Sequence, residues 1–180
     1  MNQLEIAARE LAEIYDDYFQ LSKHLQADGN RILDDPKSDQ STRRNLIRVS
    51  FPMIEAYSNT LRMLCKVLGK HTQFSLTKRQ VKLLDDNDRT LTSPDRLKES
   101  LKLAFKIHEF DNEPSFSDKH WQNVLCAFSI RDRITHPKRA AELIILDDEW
   151  GLAHQGLLWV LQTFSSFISQ VHENYGRNPE

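Results

Sequence analysis

The chain reads as an all-α protein, a helical bundle of four to five main helices, and three observations carry that reading. Apolar residues recur at steps of three and four over long stretches, the period of one helix face. Only 5 Gly and 6 Pro punctuate 180 residues, too few for the tight turns of a sandwich or barrel. Hydrophobic residues make up 39% and charged residues 28%, enough apolar material for a core and too much for a disordered chain. The length suits a single domain, 1–180, whose first 27 residues are an N-terminal helix.

The elements follow in order. Leu4, Ala7, Ala8, Leu11, Ile14, Tyr15, Tyr18, Leu21 and Leu25 mark one amphipathic helix. The polar stretch Asp28 to Gln40, with Gly29 and Pro36, reads as a loop. Leu46, Ser50, Met53, Ile54, Tyr57, Leu61, Leu64, Cys65 and Leu68 mark a second long helix, with Gly69 as its stop. Pro52 lies inside it without shifting the apolar phase, so one helix kinked near Ser50 is expected rather than two. Thr77 caps a brief helix ending at Leu84. Ser93 followed by Pro94 starts the next, which reaches about Phe110 and carries Leu97, Leu101, Ala104, Phe105 and His108 on one face. Ser117 and Asp118 open a fifth helix that Pro137 limits, with Trp121, Val124, Leu125 and Phe128 inward. Ala141 to Leu146 is short, apolar and suited to an extended segment. Asp147 caps the last helix, whose stripe is Trp150, His154, Leu157, Leu161, Phe164, Ile168, Val171 and Tyr175; the tail is frayed.

Composition removes several function classes. The net charge is -2, so bulk electrostatics recruits neither nucleic acid nor anionic membrane, and any polyanion binding rests on a local patch. No apolar run approaches the roughly 20 residues of a membrane span. The acidic N-terminus lacks the pattern of a signal peptide, and a cytoplasmic location is expected. Cys65 and Cys126 sit in apolar helical patterns and are expected to be reduced and buried. No metal and no cofactor is expected. His108-Glu109 starts a zinc motif, but Asn112 stands where its second histidine belongs. Asp85-Asp86-Asn87-Asp88 lacks the glycine and glutamate of a calcium loop, and no phosphate-cradling glycine loop exists.

The informative place is the end of the fifth helix. Followed by alternating steps, the stripe Trp121, Leu125, Phe128 leads to Asp132 and then Thr135 and His136, with Arg131 on its flank. Polar groups on a buried face must be paired or functional, because burying them alone costs roughly 2–7 kcal/mol each. Asp132 and His136 are four apart, so the carboxylate is placed to orient the imidazole. Arg131 and His136 are five apart and converge only if the last turn unwinds, which Pro137 favours. A guanidinium suits phosphate, and an imidazole that takes and returns a proton suits phosphodiester cleavage. The same residues also suit a capping cluster in which His136 stabilises the helix C-terminus.

Arg131-Asp132, three further residues and His136 resemble the motif of the HEPN superfamily: an arginine, a polar residue, three to five others, and a histidine. The surroundings strengthen the likeness. Aromatic and aliphatic core positions precede the motif, and Pro137-Lys138-Arg139, a short apolar segment and a final long helix follow it. Upstream, RRNLIRVSFPMIEAYSNTLRML is similar to an early core helix of HEPN-like bacterial proteins, with Glu55 inside it. The resemblance covers roughly residues 42–175. It implies a HEPN-like all-α domain, dimerising as a homodimer, and a metal-independent endoribonuclease acting as a defence or toxin effector. It implies RNA as substrate, and an antitoxin or defence-complex protein as a further partner. Under it His136 is the acid–base group, Arg131 stabilises the charged phosphorane and Asp132 orients His136. Arg133, Lys138 and Arg139 then contact RNA. Aspartate departs from the family's usual neutral polar residue, and Lys138 stands where some members carry a modifiable tyrosine.

Weaker clusters are the Lys98, Lys102, Lys106 stripe and Arg43, Arg44, Arg48, either a phosphate track or a solvated helix face. Two rival readings stand beside the ribonuclease: a catalytically inactive HEPN-like scaffold that binds RNA or protein, and an unrelated helical interaction protein.

Overall fold

The structure, a computed structural model, describes residues 3–33, 39–71, 74–85 and 90–175. Among the described residues there are six α-helices, one 3-10 turn and no strand, so the all-α class holds. The helices are α1 (Gln3–Leu33), α2 (Gln40–His71), α3 (Lys78–Leu84), α4 (Ser93–Ile107), α5 (Lys119–Thr135) and α6 (Asp147–Tyr175), with the 3-10 turn at Ala140–Leu143. No helix is long and apolar enough to cross a membrane among these residues. The loop expected around Pro36, most of the Asp85 to Asp88 run and the tail beyond Tyr175 lie outside the described residues, as do the side chains of Leu4, Leu25 and Tyr175.

The chain groups into two compact units, each from two stretches. One takes residues 1–27 and 52–114, the other 28–51 and 115–180. The division falls inside α2, between Phe51 and Pro52. As the unshifted apolar phase predicts, α2 is one helix across Pro52, which is exposed. It deprives the Arg48 carbonyl of its helical donor on the solvent side, where water replaces it at least cost.

In the first unit, α1 buries Ile14, Tyr18 and Ser22. The Tyr18 ring packs 5.5 Å from Tyr57 of α2, and the Ser22 and Tyr57 hydroxyls meet at 3.4 Å. Burial pushes the Tyr18 phenol well above its ordinary value. Two members of the expected α1 stripe, Ala8 and Leu21, are exposed. α1 also runs through Asp28 and Gly29 to Leu33, where a loop is expected. Extending a formed helix adds a hydrogen bond per residue, and a single glycine costs only about 1 kcal/mol. α2 likewise passes Gly69 and ends at His71. α3 begins as expected: Thr77 and Gln80 exchange side-chain-to-backbone bonds in a capping box. The α4 cap is Thr92, one residue before the expected Ser93, and Pro94 sits in the first turn.

α4 ends at Ile107 rather than near Phe110. The Phe110 N–H donates to the Phe105 carbonyl and the Glu109 N–H to the Lys106 carbonyl, the paired bonds of a Schellman closure. Its left-handed position is Glu109 (φ 55°), and the Phe105 and Phe110 rings meet at 6.1 Å. His108, the capping residue, is buried, stacked 5.3 Å from Phe110 and pushed down to about 4 by burial.

In the second unit, the Asp39 carboxylate caps the start of α2 by accepting the Ser41 and Thr42 N–H groups. Asp118 does the same for α5 through His120 and Trp121. α5 and α6 approach so closely that a Cβ on Gly156 would stand 2.5 Å from the Asn123 backbone. Beside it the Asn123 amide donates to Gln155 at 3.2 Å. The buried stripe of α6 is Ala153, Leu157, Val160, Phe164, Phe167 and Val171, steps of four and three. The expected Trp150, His154, Leu161 and Ile168 flank it, half-buried. Asp147 is the first helical residue rather than the cap, and Glu149 accepts the Leu146 N–H. Of residues 141–146 the first three lie in the 3-10 turn; Ile144 is extended (φ -87°, ψ 126°), and only Ile145 is buried among the last three. Cys65 and Cys126 are both free, Cys65 fully buried and Cys126 half-buried.

Candidate functional site

The site is built on the last turn of α5, in the second unit. Phe128 packs edge-on against Phe51 of α2, with ring centroids 4.8 Å apart. Arg131, one turn later, lays its guanidinium over the same Phe51 ring at 5.6 Å, a cation–π contact that fixes a long flexible side chain. Its Nη1 donates to Asp132 Oδ1 at 2.9 Å. The Arg131 side chain is 30% exposed and that of Asp132 67%.

The expected continuation of the buried face into Asp132, Thr135 and His136 is corrected. The core face of α5 continues through Ile130 and Ile134, while Asp132, Thr135 and His136 are exposed. The stripe drifts because the true step alternates around Ala127, Ile130 and Ile134. The desolvation argument therefore does not apply to these three groups. The expected carboxylate–imidazole contact is also replaced. Asp132 turns to Arg131, and reaches His136 only through its backbone carbonyl, which accepts the His136 N–H at 3.1 Å. No hydrogen bond or ion pair to the His136 ring is present among the described residues.

The helix stops at His136, whose backbone (φ -125°, ψ 54°) leaves helical geometry ahead of Pro137. The Thr135 hydroxyl donates back to the Arg131 carbonyl at 2.6 Å, occupying one of the end carbonyls. From His136 to Ala141 every residue is exposed.

Arg133, expected to contact RNA, is committed to the fold. Both of its terminal nitrogens donate to the Glu149 carboxylate at 2.8 Å, and Nη2 also reaches the Ile144 carbonyl. Hydrogen bonds from this guanidinium hold the Glu149 carboxyl below its ordinary value against the opposing effect of burial. Lys138 and Arg139 remain outward; the Lys138 backbone N–H donates to the Glu142 carboxylate at 2.8 Å, and the Arg139 carbonyl accepts the Glu142 N–H at 3.0 Å. Of the six expected residues the structure gathers Arg131 and Asp132 into a pair, leaves His136, Lys138 and Arg139 accessible, and diverts Arg133.

Phe51, Glu142 and Glu149 were not among the expected site residues. Phe51 carries a signal, an aromatic one turn after the Arg44, Arg48 stripe. Glu142 and Glu149 each accept a backbone N–H three or four residues upstream, but the pairing of Glu149 with Arg133 spans two helices and carries no signal. Among the described residues no group of three or more His, Cys, Asp or Glu side chains is arranged to hold a metal ion. No protein-family model matches the chain, and neither a curated protein nor a solved structure does.

Proposed function

We propose that the α5 terminus is the catalytic end of a metal-independent endoribonuclease of HEPN type, working as a homodimer in a defence or toxin role. The observation that carries this reading is the exposed His136 ring at a helix end whose neighbouring guanidinium, Arg131, is held in place by Phe51 and Asp132. An imidazole can both take and give a proton, and a fixed arginine stabilises charge on phosphate. In the reaction the RNA 2′-hydroxyl loses its proton to one His136 and attacks the adjacent phosphorus. The P–O2′ bond forms and the P–O5′ bond breaks. The leaving 5′ oxygen takes a proton from the second copy's imidazole. The products are a 2′,3′-cyclic phosphate and a 5′-hydroxyl, and the Arg131 guanidinium stabilises the negative charge on the phosphorane that precedes them.

The test is cleavage of RNA by pure protein in EDTA, with the product ends identified. Wild type yields cyclic-phosphate ends, and His136→Ala lowers the rate by roughly 10²-fold or more. Equal rates for the two proteins remove His136 from the chemistry.

One observation favours a second reading, an inactive module that binds RNA or protein. The Asp132 carboxylate is spent on Arg131 rather than on the imidazole. Under that reading Arg131→Ala lowers stability and leaves RNA affinity unchanged.

A further inference from the structure

The cationic side chains of the second unit fall into two groups. Arg43, Arg44, Arg131 and Arg133 each hold an acceptor of the fold: Asp147 at 2.6 Å, the Leu143 carbonyl at 3.0 Å, Asp132 and Glu149. Arg48, Lys119, Lys138 and Arg139 are exposed, and among the described residues their side chains hold none; Lys119 opens α5, at the end away from His136.

The neighbours of Arg48 locate it. One turn before it, Arg44 reaches the 3-10 turn at Leu143. One turn after it, Phe51 lies under the Arg131 guanidinium. Between Arg131 and Leu143 the chain runs through His136, Pro137, Lys138 and Arg139. The two ends of this connection are thus anchored on α2 one turn either side of Arg48, at Phe51 and at Arg44. Arg44, Arg48 and Phe51 follow at steps of four and three, so they share a helix face.

We infer that Arg48, Lys138 and Arg139 form a track for the backbone of single-stranded RNA, leading to His136; the choice of RNA rests on the ribonuclease reading. Three separate cations on two elements match successive phosphates rather than one small anion. Of the acids beside them, Asp132 is offset by Arg131, and Glu142 keeps its charge while accepting the Lys138 N–H, so two of the three cations remain in excess. Exposed cations that hold no internal acceptor are the ones whose binding to a polyanion releases counterions.

The experiment measures binding of a 2′-O-methyl oligoribonucleotide, which lacks the attacking hydroxyl, as salt rises from about 50 to 200 mM. Arg48→Ala lowers the slope of log affinity against log salt by about 0.7, as do Lys138→Ala and Arg139→Ala. Arg48→Lys keeps the slope. Lys119→Ala, about 25 Å away along α5, leaves it unchanged, and unchanged thermal unfolding shows that Arg48→Ala still folds. A wild-type slope in Arg48→Ala overturns the track, and so does an equal loss in Lys119→Ala. The two readings separate when RNA cleavage is assayed alongside. Cleavage with an unaltered Arg48→Ala slope sinks the track and leaves the ribonuclease. A lowered slope without cleavage keeps the track and sinks the ribonuclease.

Discussion

Among the described residues α4 and α5 each carry a histidine as the C-terminal cap, and the two ends differ in almost every other respect. His108 closes α4 and His136 closes α5. After His108 come Glu109 in the left-handed region and Phe110, whose ring folds back over Phe105 and the imidazole. After His136 comes Pro137, which has no N–H for the first closing bond and a φ fixed on the wrong side for a left-handed turn. Lys138 then stands where the first end has a phenylalanine. The first histidine is consequently buried and held neutral, and the second is left in solvent. Residue type at the cap does not decide the role of a helix end; the two residues after it do.

The largest way to break this contrast is to unseat the open end. Gly156→Ala places a methyl group against the Asn123 and Val124 backbone. Neither neighbour is a flexible side-chain tip, so α5 and α6 must separate. We expect a loss of about 3 kcal/mol or more in denaturant unfolding, with lost amide protection concentrated in α5 and α6.

The buried histidine gives the next effect. An unfolded histidine takes its proton near pH 6.5, whereas His108 resists it down to about 4. Between those values the unfolded chain binds more protons. The stability that the neutral ring contributes is therefore fully present above about pH 6.5 and lost as pH falls through 4, an effect of about 2–3 kcal/mol. His108→Gln should flatten unfolding free energy over that window. An unchanged profile in that variant would show that His108 is not the titrating group.

The smallest effect sharpens the closed end. Glu109 holds a conformation that costs an L side chain roughly 1 kcal/mol. Glu109→Gly should raise stability by about that amount, read as a shift in urea midpoint with constant m.

Local rules were legible where partners are close in sequence. Thr77 with Gln80, Asp118 with His120 and Trp121, and the stop before Pro137 are interactions spanning two to four residues. The misplaced features need partners from elsewhere. Gly156 reads as an ordinary glycine in an apolar helix until Asn123 is packed on it. Residues 141–146 read as one extended segment, but the first three close a 3-10 turn, and Gln40 takes up both backbone groups of Ile145 through its side chain. At the site, the position of Arg131 and His136 at one helix end followed from spacing and proline. The commitment of Arg133 to Glu149, sixteen residues on, and of Asp132 to Arg131 depended on rotamers and on the placement of α6. No periodicity encodes those.

The division of α2 at Phe51 and Pro52 has a consequence for how the molecule is handled and how it arose. Each compact unit borrows a stretch from the far side of the other in chain order. Neither is therefore a cassette that recombination could insert or excise in one piece. A genetic cut before Ser115 would strand the carboxy-terminal half without the segment that supplies Gln40, Arg43 and Phe51 to it.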